Sequence, residues 1–229
     1  MAQEPYAATR ERCQPDLLWS RYQPQLGDVS EFPTLCIWHI LTCNLRNWDA
    51  DPRGASTDPC SQTYRGEAPR DTPENLGMDT LIRKIRDEQG IKLYIDWHSY
   101  SQLILYPFGH KETLYAPELG MWTKVAALMS ENIAYYSTNA TTYTYGPSGA
   151  TLYPTTGASI DHVYTIGRAK FSMTIELPDT GDFGFVLPPE RIRPAADEQW
   201  VGQQVLLSLL DEEFFDGEGP AIGALGTTW

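Results

Sequence analysis

Helical patterns alternate with two apolar runs of strand character, and this alternation constrains the fold more than any other feature. The runs IKLYIDWH (91–98) and KFSMTIEL (170–177) are rich in β-branched and aromatic residues, which is typical of strands. Helices are predicted over 73–89, 117–136 and about 189–213, the first two from apolar residues at helical spacing. Helices that alternate with strands indicate an α/β protein.

The first predicted helix has clear boundary signals. Thr72 is expected to be its N-cap, Pro73 takes the first helical position, and Gly90 ends the helix. The Pro- and Gly-bearing segment 47–69 and the Tyr-, Thr- and Gly-rich segment 141–159 are predicted to be loops. The predicted buried face of the helix consists of Met78, Leu81, Ile82 and Ile85.

Composition narrows the classes of protein to consider. The 229 residues are enough for one domain with a substantial core, and 41% hydrophobic with 21% charged residues is typical of a globular protein. The formal charge of −13 argues against nucleic acid or an anionic membrane as partner. The sequence contains no run of 18 apolar residues, so no membrane span is predicted from it. The opening MAQEPYAATRER lacks the apolar core of a secretory signal.

Two strand-like runs end on residues that can do chemistry. His98 closes the run IKLYIDWH, and Glu176 lies near the end of KFSMTIEL. Sites in open α/β sheets gather at the carboxyl ends of strands, so the two residues are a candidate pair. The alternatives are that His98 is an ordinary core histidine with hydrogen-bond partners and that Glu176 is an edge charge facing solvent.

Four sequence blocks connect the chain to a known family. They are RNWDA…GASTDPCSQTYRGEAP, IDWHSYSQLILYPFG, TLYPTTGASIDHVY and SMTIELPDTGDFGFVLPPERI, in this order over about residues 46–213. They resemble zinc carboxypeptidases of the carboxypeptidase A type. The resemblance implies a three-layer α/β/α sandwich with a mixed central sheet, an extracellular location, and zinc-dependent hydrolysis of the C-terminal bond of a peptide or protein.

The resemblance also implies roles for individual residues. His98 is similar to the family's third zinc ligand, and Glu176 is similar to the carboxylate that moves a proton from the zinc-bound water to the leaving amine. Tyr153 matches the mobile tyrosine that folds over the substrate. Arg46 matches the arginine that binds the C-terminal carboxylate. Ile160 stands at the specificity position, where an aliphatic residue implies apolar or aromatic C-terminal side chains.

The expected metal-ligand set is incomplete in this sequence. A catalytic zinc needs three protein ligands and an open position. In the family, two of them come from a His-x-x-Glu pair more than a hundred residues before the HSYSQ histidine, which here falls before Met1. No His-x-x-Glu occurs in the chain, and His39 is the only histidine upstream of His98. Cys36 and His39 have ligand-like spacing and are the substitute that the sequence offers.

Other departures cluster near the start of the chain. Leu45 precedes Arg46 where the family has an asparagine, and in DLLWSRYQP (16–24) an arginine comes one position later than in the family. The disulfide partner of Cys60 stays open between Cys36 and Cys43. These observations predict an aberrant or truncated segment over 1–45, a partial carboxypeptidase domain truncated at its N-terminal side over 46–215, and a disordered tail over 216–229.

Three functions remain open from the sequence. The first is a zinc metallocarboxypeptidase, with the activity of this chain in doubt because the His-x-x-Glu pair is missing. The second is a protein that binds peptide C-termini without catalysis. The third is an acidic glycosidase that uses Asp96 and Glu176 as paired carboxylates. Phe185, in DFGF, is either an aromatic wall of the site or a core residue.

Overall fold

The computed structural model describes residues 51–58, 60–61, 63–137 and 140–210. Within them the predicted alternation of helices and strands is confirmed, and the fold is α/β. The elements in chain order are α1 (Pro73–Glu88), β1 (Leu93–Ser99), β2 (Leu103–Tyr106), α2 (Leu119–Tyr136), β3 (Thr144–Pro147), α3 (Ser148–Thr151), α4 (Ser159–Thr165), β4 (Phe171–Leu177) and α5 (Pro189–Ser208).

The four strands form one mixed sheet in the order β1-β4-β2-β3. β1 pairs with β4 in parallel, β2 pairs with β4 in antiparallel, and β2 pairs with β3 in parallel. The register between β1 and β4 sets His98 directly opposite Glu176. The carboxyl ends of these two strands therefore lie side by side.

Helices cover both faces of the sheet, as the sandwich prediction requires. Side chains alternate between the two faces along a strand. On one face, alternate residues of β4 pack against α2 and α5 in the main core. This core includes Phe171, Met173 and Ile175 from β4, Trp122 and Met129 from α2, and Leu206 from α5. On the other face a smaller cluster joins α1 and α4; it contains Ile82, Val163 and Ala169 with Ile91 and Tyr94 at its margin.

The boundary signals of α1 are confirmed. The Thr72 side chain accepts a hydrogen bond from the backbone N–H of Asn75, and Pro73 lies in the first turn. Gly90, just beyond the helix, has a φ of +76°, a conformation that costs glycine little. These signals act over a few residues, which explains why they can be read from the sequence.

The predicted buried face of α1 is partly wrong. Ile82 is buried, but Leu81 is 47% exposed, and the polar residues Asn75 and Asp79 are buried in its place. The carboxylate of Asp79 pairs with the guanidinium groups of Arg70 and Arg83 at 3.0 and 2.9 Å. Because these partners offset the cost of burying a charge, the helix can turn a polar residue toward the core.

The apolar residues whose helical spacing predicts the helix over 117–136 are buried over most of its length. Trp122, Ala126, Met129 and Ile133 are all completely buried, whereas Tyr136 at the end of the helix is 57% exposed. No helix among the described residues is both long and apolar enough to cross a membrane.

The prediction that 141–159 is a loop is wrong for its middle part, which contains β3 and α3. The Thr- and Tyr-bearing stretch 144–147 pairs with β2. Just before it, the Ser130 hydroxyl donates to the carbonyl of Tyr143 and accepts from its N–H. These are long-range contacts, so the turn-like composition of the segment concealed them.

Candidate active site

Three ionisable side chains lie on one face of the sheet where β1 and β4 end. His98 Nε2 is 3.3 Å from Asp96 Oδ1, and His98 Nδ1 is 3.8 Å from Glu176 Oε1. The three side chains are only 13–21% exposed. Asp96 and His98 share a face because they are two residues apart on a strand, and the parallel register adds Glu176.

The close packing of these groups shifts their pKa values. Burial raises the pKa of Glu176 and the negative charge of Asp96 adds to this effect, while the charge of His98 opposes it. Burial alone would lower the pKa of His98, but its hydrogen bond with Asp96 and the charges of both carboxylates raise it. A carboxyl group whose pKa is raised by burial is suited to both accept and donate a proton near neutral pH.

The orientation of His98 follows from its neighbours. Asp96 faces Nε2, which leaves Nδ1 directed toward Glu176. Asp96 is itself held by a hydrogen bond from the Ser159 hydroxyl, at the first residue of α4. A carboxylate behind a histidine is a common way to fix the ring of a metal ligand. The sequence suggests Asp96 only as a catalytic carboxylate, although its position two residues before His98 on one strand is a signal for this contact.

The other residues matched by resemblance differ in how far their side chains are exposed. Tyr153 follows α3 and is 62% exposed, whereas Ile160 in α4 is only 1% exposed. Phe185 is 67% exposed and makes an edge-to-face contact with Tyr100 at 5.0 Å, so the interpretation as a core residue is wrong. Four residues considered above lie outside the described residues: Arg46, Cys36, His39 and Cys43.

The described residues meet the needs of a zinc site only in part. His98 presents Nδ1 beside Glu176, whose Oε2 atom is buried and has no hydrogen-bond partner. Within the described ranges, however, no group of three or more His, Cys, Asp or Glu side chains is arranged to hold a metal ion. One imidazole does not make a catalytic zinc site, because such a site takes three protein ligands.

Comparison with known proteins decides the family. The sequence pattern of the zinc carboxypeptidase family matches residues 43–202. The chain belongs to the zinc carboxypeptidase family. The metallocarboxypeptidase A-like protein of Trichophyton verrucosum is 37% identical over 163 residues, which are 71% of this chain and 38% of the relative. Carboxypeptidase A1 of Bos taurus is 40% identical over 159 residues, 69% of this chain and 36% of the relative.

Solved structures agree with the family assignment. Bovine thrombin-activatable fibrinolysis inhibitor, in complex with tick carboxypeptidase inhibitor, is 32% identical with a TM-score of 0.67; the match covers 74% of this chain and 56% of that one. Carboxypeptidase A from Helicoverpa armigera, 24% identical, shares the fold with a TM-score of 0.64, over 74% of this chain and 41% of that one. The family recognition from sequence is confirmed, and none of these matches supports the glycosidase hypothesis.

The chain spans less than two fifths of the length of these curated relatives, 38% and 36%. The matched zinc carboxypeptidase region includes β1 and β4 with His98 and Glu176.

Proposed function

We propose that this chain carries the proton-transfer and substrate-recognition part of a zinc metallocarboxypeptidase that removes apolar or aromatic residues from peptide C-termini. The observation that carries the proposal is the juxtaposition of His98 and Glu176 at the ends of two parallel strands. Nδ1 of His98 is 3.8 Å from Glu176 Oε1, at the carboxyl ends of strands where sites of α/β proteins form. An extracellular location, with substrates that are peptides or proteins, is part of this proposal.

Glu176 is the general acid–base group in this proposal. Its carboxylate is 15% exposed, so it can reach solvent or substrate while burial keeps its proton affinity high. It accepts a proton from the attacking water and delivers it to the nitrogen of the departing residue. A positioned group of this kind accelerates the reaction by about 10²–10⁴-fold.

His98 is the metal ligand that this chain supplies, and Asp96 holds its ring in place. When bound, zinc supplies a Lewis acid that polarises the scissile carbonyl and lowers the pKa of a water molecule. The remaining ligands of the family's His-x-x-Glu pair are absent from the sequence. Full activity therefore requires those ligands from a source other than the described residues.

Recognition of the substrate rests on three residues. Arg46 binds the terminal carboxylate, Tyr153 closes over the substrate, and Ile160 makes the pocket for the last side chain apolar. The exposure of Tyr153 supports the proposal that its side chain moves, because an exposed ring has few contacts to hold it. An aliphatic pocket leaves a cationic side chain without a partner, so peptides ending in Lys or Arg are disfavoured.

A second candidate is a protein that binds peptide C-termini without cleaving them. The residues proposed for recognition can serve it unaided, because binding by Arg46, Tyr153 and Ile160 needs no metal. Both candidates use the same residues for binding. They differ only in whether a metal is held and whether the peptide bond is cut.

One experiment separates the two candidates. The purified chain and a chimaera that adds the His-x-x-Glu segment of a relative are each incubated with buffered zinc and with N-blocked dipeptides that end in Phe or Arg, and both hydrolysis and calorimetric binding are measured. A dipeptide ending in Phe-amide is the control, since it lacks the terminal carboxylate. Zinc-dependent cleavage of the Phe acid by the chimaera supports the enzyme, and binding of the Phe acid by both proteins without cleavage by either supports the binding protein. If the Phe acid is neither bound nor cut, both candidates are wrong.

A further inference from the structure

A buried carboxylate outside the catalytic group collects hydrogen bonds from a neighbouring segment. Asp161, in α4, is 0% exposed. It accepts from the N–H of Gly109 at 2.9 and 3.1 Å and from the N–H of His110 at 3.1 Å. The His110 ring adds a fourth contact, with Nδ1 at 2.7 Å. An ionised carboxylate only accepts, so Nδ1 is the donor.

The segment that Asp161 holds, residues 108–110, in turn holds the chain that carries Tyr153. The Gly109 carbonyl accepts the N–H of Thr155 at 2.8 Å, and the Phe108 carbonyl accepts the N–H of Gly149 at 3.0 Å. These two bonds lie on either side of Tyr153. We name residues 149–155 the Tyr153 segment; its first and last residues are hydrogen-bonded to residues 108–110.

The two segments are in close contact at this base. A Cβ on Gly109 would lie 2.5 Å from Thr155 Oγ1, and a Cβ on Gly149 would lie 2.7 Å from the Gly109 carbonyl. Neither place has room for a side chain. The Tyr153 ring, by contrast, is 62% exposed. The base is therefore fixed by packing and hydrogen bonds, whereas the ring at the tip has few contacts.

We propose that Asp161 is a positioning residue: it anchors residues 108–110 and through them holds the base of the Tyr153 segment. His110 is the side chain that completes this anchor. Asp161 also follows Ile160 directly in α4, so one buried carboxylate ties the predicted specificity residue to the predicted mobile tyrosine. The effect on substrate rests on the proposed function, but the mechanical link between the segments does not.

The test compares Asp161→Asn with Asp79→Asn. In Asp161→Asn one carboxylate oxygen gives way to an amide NH₂, which cannot accept from the N–H donors around it, so at least one charge-assisted hydrogen bond is lost. Asp79 is also a buried carboxylate, 2% exposed; it contacts α4 through His162 and, within the part of the chain that the structure describes, has no hydrogen bond to residues 108–110. Native-state hydrogen exchange of the Thr155 and Gly149 amides is measured in both variants, together with calorimetric affinity for N-blocked Gly-Phe.

Asp161→Asn is expected to speed exchange of these two amides by about tenfold or more. This is the change expected when one hydrogen bond to a charged group is lost. The same variant is also expected to weaken peptide binding. Asp79→Asn, by contrast, is expected to lower global stability and to speed exchange of the Thr155 and Gly149 amides no more than exchange of the sheet amides. If the Asp161 variant does not fold, His110→Gln removes the ring contact alone and is expected to show the same pattern to a smaller degree.

Unchanged local exchange at Thr155 in a folded Asp161→Asn or His110→Gln variant would overturn the anchor. Exchange that rises equally in the Asp79 variant would also overturn it, because any disturbance of α4 would then suffice. If the wild-type chain fails to bind the peptide, the proposed function fails, and the exchange data still decide the role of Asp161.

Discussion

Replacing Gly149 with alanine tests how tightly the base of the Tyr153 segment is packed. A Cβ at this position would lie 2.7 Å from the carbonyl oxygen of Gly109 and 3.1 Å from that of Phe108. Ordinary contact begins at 3.4 Å, so the two backbones must separate by about 0.7 Å at the nearer atom. Neither neighbour is the end of a flexible side chain, and the strain is therefore not relieved by a rotamer change.

The matched control is Gly77→Ala on the exposed side of α1, where the added Cβ meets nothing within 4 Å. Both substitutions raise the free energy of unfolding by about 0.4–1 kcal/mol, because alanine restricts the unfolded chain more than glycine does. This gain cancels in the comparison, and what remains is the cost of overpacking, about 1–3 kcal/mol. For a chain of this size each kcal/mol moves the Tm by about 2–4 °C, so the two variants should differ by about 2–12 °C.

The measurement is urea and thermal unfolding of both variants, followed by circular dichroism, with the wild-type chain beside them. Gly77→Ala is expected to be at least as stable as the wild type, and Gly149→Ala is expected to be less stable than Gly77→Ala. Peptide affinity should fall only in the Gly149 variant. Equal stability of the two alanine variants would show that the Tyr153 segment is not packed against residues 108–110 as described.

Three further predictions concern the site and the pH dependence of stability. In a chimaera that adds the His-x-x-Glu segment of a relative, Glu176→Gln should lower turnover by about 10²–10⁴-fold with zinc content unchanged, because this carboxylate is not a ligand; near-native turnover would refute its role. Equilibrium dialysis of the chain itself should show no stoichiometric zinc retention, since His98 alone cannot build the site; one tightly held zinc per chain would contradict this. Burial lowers the pKa of His162 below its ordinary 6.5, although the facing Asp79 opposes the shift while Arg83 and Arg70 add to it. The folded state then binds fewer protons than the unfolded chain below pH 6.5, so stability should fall on acidification, by at most about 1.4 kcal/mol per pH unit from this group. His162→Gln should reduce the dependence of the free energy of unfolding on pH between pH 7.5 and 5, measured by urea unfolding. An unchanged dependence on pH would exclude His162 as its cause.

Much of the secondary structure could be predicted because its signals are local. The cap of α1 involves Thr72 and a backbone N–H three residues away, and Trp122 to Ile133 repeat at helical spacing. His98 and Glu176, at the ends of two apolar runs, can be picked out from the sequence as a candidate pair. The family blocks around His98 and Glu176 were equally readable, since each block is a continuous stretch of chain.

Errors occurred where partners are distant in the chain. The sequence does not predict that Asp79 is buried, since one of its partners, His162, is distant in the chain and meets it only in the fold. The turn-like composition of segment 144–147 predicts a loop, and its pairing with β2 cannot be read from the sequence. In both places a tertiary contact outweighed the local preference.

The sequence by itself determined the α/β class, the limits of several helices and the identity of the residues able to do chemistry. Only the tertiary structure decided which of them meet: the parallel register brings His98 to Glu176, and the packing of α4 brings Asp161 to His110. The physical reason is the range of the forces involved. Caps and periodicity depend on neighbours within a few residues, whereas strand register and buried ion pairs depend on how the whole core packs.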